Sequence, residues 1–268
     1  MKYKLLVLDI DGTVTNSQKQ VSEKTREAVI RLQEKGVPVA IASGRPPQGV
    51  FYVAQALGFQ NYGSYILPFN GARILNFKTK ECVFERTLPL SLPSRLWRDA
   101  LENHIGIITY RGDVIYSGTE PDQYMAIESR INQIPIEYRK DFGTFIDFPV
   151  NKCLLTGEGQ DLEALEPMMA RKYQHEAQVF RSESYFLEIT PKNVDKAYSL
   201  RHLLDILGIS REEMVCCGDG FNDVSMIQFA GLGVAMANAQ EKVKDVADYI
   251  TVNDNDHDGI AEVIEKFF

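Results

Sequence analysis

Leu5-Leu6-Val7-Leu8-Asp9-Ile10-Asp11-Gly12-Thr13 decides the fold. Four consecutive apolar residues with no polar alternation describe a short strand buried on both faces, as in a parallel sheet covered by helices. The run stops on two carboxylates and a Gly-Thr turn. Side chains two apart in extended backbone point the same way, so Asp9 and Asp11 can face one pocket. On its own, the segment is equally an Asp-Gly turn closing a strand.

Outward from it, strands and helices alternate. Ser22 is placed to cap a helix with Thr25, Ala28, Val29 and Leu32 on one face and Gly36 as its stop. Val37 to Ala42 is a second apolar run and ends in Ser43-Gly44-Arg45. A further helix carries Val50, Phe51, Ala54 and Leu57, and a third short strand, Tyr65 to Leu67, ends near Phe69-Asn70-Gly71-Ala72. The same alternation returns late in the chain. A helix from Val194 to Leu207 leads to the strand Met214 to Cys217, which runs into Gly218-Asp219-Gly220-Phe221-Asn222-Asp223, and further strands are expected at Leu232 to Ala235 and Tyr249 to Thr251.

Between these halves the pattern differs. Residues 84–186 read as an α+β insertion, with helices near 92–103, 122–132 and 161–173 and strand-like pieces at 106–110, 152–156 and 178–180. The expected architecture is α/β: a Rossmann-like, doubly wound parallel sheet built from residues 1–83 and 187–268, interrupted by an α+β domain over 84–186.

Bulk properties narrow the function. The chain has 268 residues, 44% hydrophobic and 25% charged, which are ordinary globular values. Its net charge is -8 and no stretch is dense in Lys and Arg, so a nucleic acid partner is not expected. The apolar run before Asp9 is far shorter than the roughly 20 residues of a membrane span, and a cytoplasmic location without membrane contact is expected. Cys82, Cys153, Cys216 and Cys217 lack zinc-ligand spacing and are expected as buried thiols. The oligomeric state is not legible.

In open parallel sheets ligands bind beyond the carboxyl ends of the strands, so the residues just after each apolar run carry the information. Those residues are Asp9 and Asp11, Ser43, Asn70, and Asp219 with Asp223. Four carboxylates at two strand ends would repel one another unless a cation lay among them. Oxygen donors without His or Cys favour Mg²⁺ over zinc. Ser43 and the Gly44 amide suit a phosphate oxygen, although a serine there also makes an ordinary helix cap or turn. Lys196 could neutralise phosphoryl charge or stand exposed on its helix. Asn222 could donate to phosphate or shape its turn.

Asp9-Ile10-Asp11-Gly12-Thr13, Ser43-Gly44-Arg45, Lys196 and Gly218-Asp219-Gly220-Phe221-Asn222-Asp223, in that order, resemble the four motifs of the haloacid dehalogenase superfamily. Phe69-Asn70-Gly71-Ala72 and Gly233-Val234-Ala235-Met236-Ala237-Asn238-Ala239 are similar to segments of its Cof-type branch, in which a large α+β cap is inserted between the second and third motifs. Asn193 and Ala197 stand where many relatives carry glycine, and Cys217 where an aromatic is frequent.

The resemblance implies a phosphatase. Asp9 would be the nucleophile and Asp11 the general acid and base. Mg²⁺ would lie between Asp9, the Asp11 carbonyl, Asp219 and Asp223. Ile10, Ser43, Gly44, Arg45, Lys196 and Asn222 would form the substrate-binding set. The implied substrate is a small phosphorylated metabolite, with sugar phosphates leading. Alternatives are a phosphomutase or phosphotransferase, a signalling receiver domain and a non-catalytic phosphate-binding module. Receivers are about half this length and place their acidic pair before the phosphorylated Asp. Arg73, Tyr110 and Arg181 are among the candidates for contacts to the leaving group.

Overall fold

A computed structural model of the chain describes residues 2–268. Leu5–Leu8 forms β1, with all four side chains buried. Removing such side chains from water stabilises the fold by about 1.5–3 kcal/mol each, which is why the run tolerates no polar residue. The chain goes on through β2 (Val39–Ala42), β3 (Tyr65–Leu67), β4 (Arg73–Asn76) and β5 (Cys82–Glu85). After the insertion it returns with β12 (Met214–Gly218), β13 (Leu232–Ala235) and β14 (Tyr249–Ile250).

These eight strands form one sheet in the order β14-β13-β12-β1-β2-β3-β4-β5. β1 is parallel to both β2 and β12, with Leu6 opposite Val39 on one side and Val215 on the other. The first half of the chain therefore builds outward from β1 in one direction and the last half in the other. The order reverses beside β1, which makes the ends of β1 and β12 the switch point where open α/β sheets bind ligands.

The inserted segment contains β6 (Gly106–Arg111), β7 (Val114–Ser117), β8 (Ile136–Tyr138), β9 (Cys153–Thr156), β10 (Ala177–Glu183) and β11 (Phe186–Pro191). They form a second sheet, β10-β11-β9-β6-β7-β8, antiparallel except between β7 and β8. Its apolar face packs against Leu92, Leu96 and Ala100 of the helix Leu92–Glu102 and Leu162, Leu165 and Met169 of the helix Gly159–Tyr173.

The chain divides into two compact units, one ending at Phe84 and resuming over Asp195–Phe268, the other Glu85–Val194. Residues 187–194, read from the sequence as the return to the first domain, stay with the second unit. β11 is hydrogen-bonded to β10 on one edge and β9 on the other, and six buried residues in a row look the same whichever sheet they join. A second correction concerns Cys82, which is exposed while the other three cysteines are buried. It lies on β5, the edge of the first sheet. Among the described residues, no helix is long and apolar enough to cross a membrane.

Candidate active site

Asp9 follows β1 directly, and its amide donates to Cys217 O at 3.0 Å, which fixes it against the neighbouring strand end. Asp223 closes the loop after β12 and is fully buried. Its Oδ2 accepts from the amides of Asp219 (3.0 Å) and Gly220 (2.9 Å), so the loop folds around its own last carboxylate. Gly218 must lack a side chain here, because a Cβ would lie 2.5 Å from Asp223 Cγ.

Lys196 opens the helix Lys196–Leu207, which Asp195 caps by accepting from the Tyr198 amide at 2.7 Å. The exposed-lysine alternative fails, since Lys196 has no exposed surface. Its Nζ donates to Asp9 Oδ1 and to Asp223 Oδ1, both at 2.5 Å. A buried ammonium survives only with such partners. Their charges hold its pKa above the ordinary lysine value against the opposing effect of burial.

Asp219 faces the same place. Thr13 Oγ1 donates to Asp219 Oδ1 at 2.9 Å. Gly12, at φ +77°, makes room for it, because a Cβ there would lie 2.4 Å from Asp219 Oδ2. Asp9, Asp219 and Asp223 each offer a carboxylate oxygen, all within 4.8 Å of one another. Burial, then the Asp223 charge, pushes Asp9 up to about 8 against the pull of Lys196. Burial and Asp223 likewise push Asp219 up to about 6. One ammonium does not balance three crowded carboxylates, so this oxygen-only set fits a divalent cation.

Asp11 points elsewhere. Its carboxylate accepts from Arg45 Nε at 2.9 Å and Nη2 at 2.7 Å, a two-pronged pair, and from Lys19 Nζ at 2.8 Å. Burial pushes the Asp11 pKa up, but Arg45 and then Lys19 outweigh it and hold the group below the usual carboxylate range. The Asp11 side chain is outside the carboxylate trio, so only its main-chain carbonyl remains for the ligand role that the resemblance implies.

The profile of the haloacid dehalogenase-like hydrolases matches residues 6–264. The chain belongs to that family. A haloacid dehalogenase-like hydrolase from Bacteroides thetaiotaomicron has a crystal structure that superposes with a TM-score of 0.95, at 47% identity over 99% of this chain and 100% of that one. The HAD subclass IIB sugar phosphatase BT4131 superposes at 0.81 with 25% identity and 98% coverage of each chain. The 5-amino-6-(5-phospho-D-ribitylamino)uracil phosphatase YcsE of Bacillus subtilis is 30% identical over 98% of this chain and 95% of its own length.

The remaining motif residues of this haloacid dehalogenase-like hydrolase gather at the same strand ends. Ser43 is buried, and its Oγ accepts from the Arg45 amide at 3.3 Å. Ile10 is buried, and its carbonyl accepts from the Thr13 and Thr15 amides, closing the turn under Asp11. Asn222 is exposed, and its Nδ2 donates to Asn70 Oδ1 at 3.3 Å.

Three contributors lie outside the residues chosen from the sequence. Thr13 orients Asp219 and was visible inside the first motif. Asn238 Nδ2 donates to Gly12 O at 2.8 Å and holds the loop after β1. It was visible in the quoted Gly233–Ala239 segment. Lys19 carries no motif signal. Two suggested leaving-group contacts have partners within the second unit: Tyr110 donates to Glu128 Oε1 at 2.7 Å, and Arg181 Nε to Glu166 Oε2 at 2.9 Å.

Proposed function

We propose that the chain is a Mg²⁺-dependent phosphatase that moves the phosphoryl group of a small phosphorylated metabolite onto Asp9 and then to water. The observation that carries this is the buried Lys196 ammonium shared by Asp9 and Asp223 beside Asp219. It pairs a nucleophilic carboxylate with both a fixed positive charge and a set of hard oxygen donors.

Asp9, Asp219 and Asp223 would hold Mg²⁺, which supplies charge neutralisation for the phosphoryl oxygens. A free Asp9 oxygen attacks phosphorus, the bond to the leaving oxygen breaks, and an aspartyl phosphate forms. Lys196, with its third N–H, Ser43, the Gly44 amide and Asn222 bind the phosphoryl oxygens as charge builds. Asp11 gives a proton to the leaving alkoxide and takes one from the water that cleaves the acyl phosphate, returning Asp9 and releasing phosphate. The ionised form that Arg45 and Lys19 favour is the one needed in the second step.

The second unit is proposed as the cap that supplies leaving-group contacts and excludes water. Sugar phosphates are the leading substrate class, supported by the likeness to BT4131, and a cytoplasmic location goes with that class. A panel of phosphorylated metabolites assayed with Mg²⁺ and no added acceptor should release inorganic phosphate from at least one hexose or pentose phosphate. Turnover only when an acceptor alcohol is added would assign a phosphotransferase instead.

A further inference from the structure

Phe69, Asn70 and Gly71 take positive φ in succession, at +54°, +54° and +90°. Glycine adopts that region freely and asparagine tolerates it, but a bulky residue does not. Two consecutive non-glycine residues there are a cost to the folded chain, and such costs persist where the surroundings impose them.

The surroundings are functional ones. The Phe69 amide donates to Arg45 O at 2.9 Å and the Asn70 amide to Ser43 O at 2.8 Å, so the segment is tied to the turn after β2. On its other side a Cβ at Gly71 would lie 1.9 Å from Ser199 Oγ, one turn into the helix that Lys196 opens. The chain is wedged between two elements of the site. What this delivers is the Asn70 carboxamide. A Cβ at Gly44 would meet both Asn70 Nδ2 and Oδ1 at 3.3 Å, so the end of the carboxamide abuts Gly44 and leaves little room for a side chain there. Asn70 Oδ1 accepts from Asn222 Nδ2, 152 residues away in the chain.

We propose that Asn70 is a positioning residue: its carboxamide aims the Asn222 side chain at the phosphoryl group. Asn222 Nδ2 carries two hydrogens. Asn70 takes one, and the other is left pointing for a phosphoryl oxygen. Asn222 is exposed, so without that acceptor its side chain would sample several rotamers and meet the substrate correctly only part of the time. The strained backbone at 69–71 is what brings the acceptor to the place.

The inference rests on the phosphatase assignment, and its test separates the two. Asn70→Gly removes the carboxamide and relieves its own positive φ, so Tm is expected to stay level or rise. The kcat for the best phosphate ester, with saturating Mg²⁺, is expected to fall on the order of 10-fold with less than about a 3-fold change in KM, since the lost contact is one made as charge develops. In an Asn222→Ala background, Asn70→Gly is expected to change kcat by less than about 2-fold, because the group it orients is gone.

A purely structural Asn70 would instead lower Tm and cost the same factor in both backgrounds. Either result overturns the inference, as does full activity of Asn70→Gly. Failure of the wild-type protein to release phosphate from any ester overturns the phosphatase assignment first and the inference with it.

Discussion

Lys196 Nζ and Asp9 Oδ1 are 2.5 Å apart although 187 residues separate them in sequence. The same ammonium is 2.5 Å from Asp223 Oδ1, and none of the Lys196 surface reaches solvent. Three chain segments thus converge on one buried charge. That convergence is a structural constraint as well as a chemical one.

Lys196→Met removes the charge and leaves two buried carboxylates facing each other. Breaking a buried charged network by deleting one partner costs about 3–5 kcal/mol. Urea unfolding without metal should show a loss of that order. Added Mg²⁺ should recover part of the stability, and none of the activity.

The raised Asp9 and Asp219 values predict how metal and pH are linked. Unfolded aspartates ionise near 3.9, whereas in the fold Asp219 holds its proton to about 6 and Asp9 to about 8. Above the range where ordinary carboxylates titrate, and up to about pH 8, these two groups bind more protons in the folded chain than in the unfolded one, so their contribution to metal-free stability falls as pH rises through that window. Mg²⁺ competes with those protons. Its affinity, measured by calorimetry, should increase from pH 5.5 to pH 8, and the rise in Tm that it causes should increase with it.

Gly12→Ala tests the close approach of the loop after β1 to Asp219. The new Cβ would fall 2.4 Å from Asp219 Oδ2 on a backbone at φ +77°. Thermal melting should register a cost of about 1–3 kcal/mol. Moving a supporting contact of a metal ligand should also weaken Mg²⁺ binding by about 10-fold or more.

Arg45→Gln removes the two-pronged pair that, with Lys19, holds Asp11 below the usual carboxylate range. Burial of Asp11 remains and pushes its value upward. Asp11 must be ionised to deprotonate the hydrolytic water, so the acid limb of the pH–rate profile should move to higher pH in the variant.

The sequence shows the sheet because β1, β2 and β12 are short apolar runs that end on turn residues and are buried throughout. It shows Asp9, Asp219 and Asp223 because each closes or follows such a run. Residues 187–191 were placed with the first domain for the same reason: a row of buried residues announces a buried strand but not which sheet it joins. Only its hairpin with Ala177–Glu183 decides. The Asp11 pairing with Lys19 was illegible, since an exposed lysine in a turn has no periodicity or spacing to mark it. Asn70 was visible as a strand-end residue. The role proposed for it was not, because Asn70-Gly71 permits a left-handed backbone without saying what the carboxamide will meet, and nothing marks Phe69 for the same conformation.

Replacing Asp9 with asparagine tests the proposed chemistry at its centre. Asparagine keeps the shape of the side chain but cannot form an acyl phosphate. With the best phosphate ester and saturating Mg²⁺, phosphate release by Asp9→Asn should fall by on the order of 10³-fold or more while its circular dichroism stays that of the wild type. Phosphate release near the wild-type rate from a folded Asp9→Asn protein would contradict it.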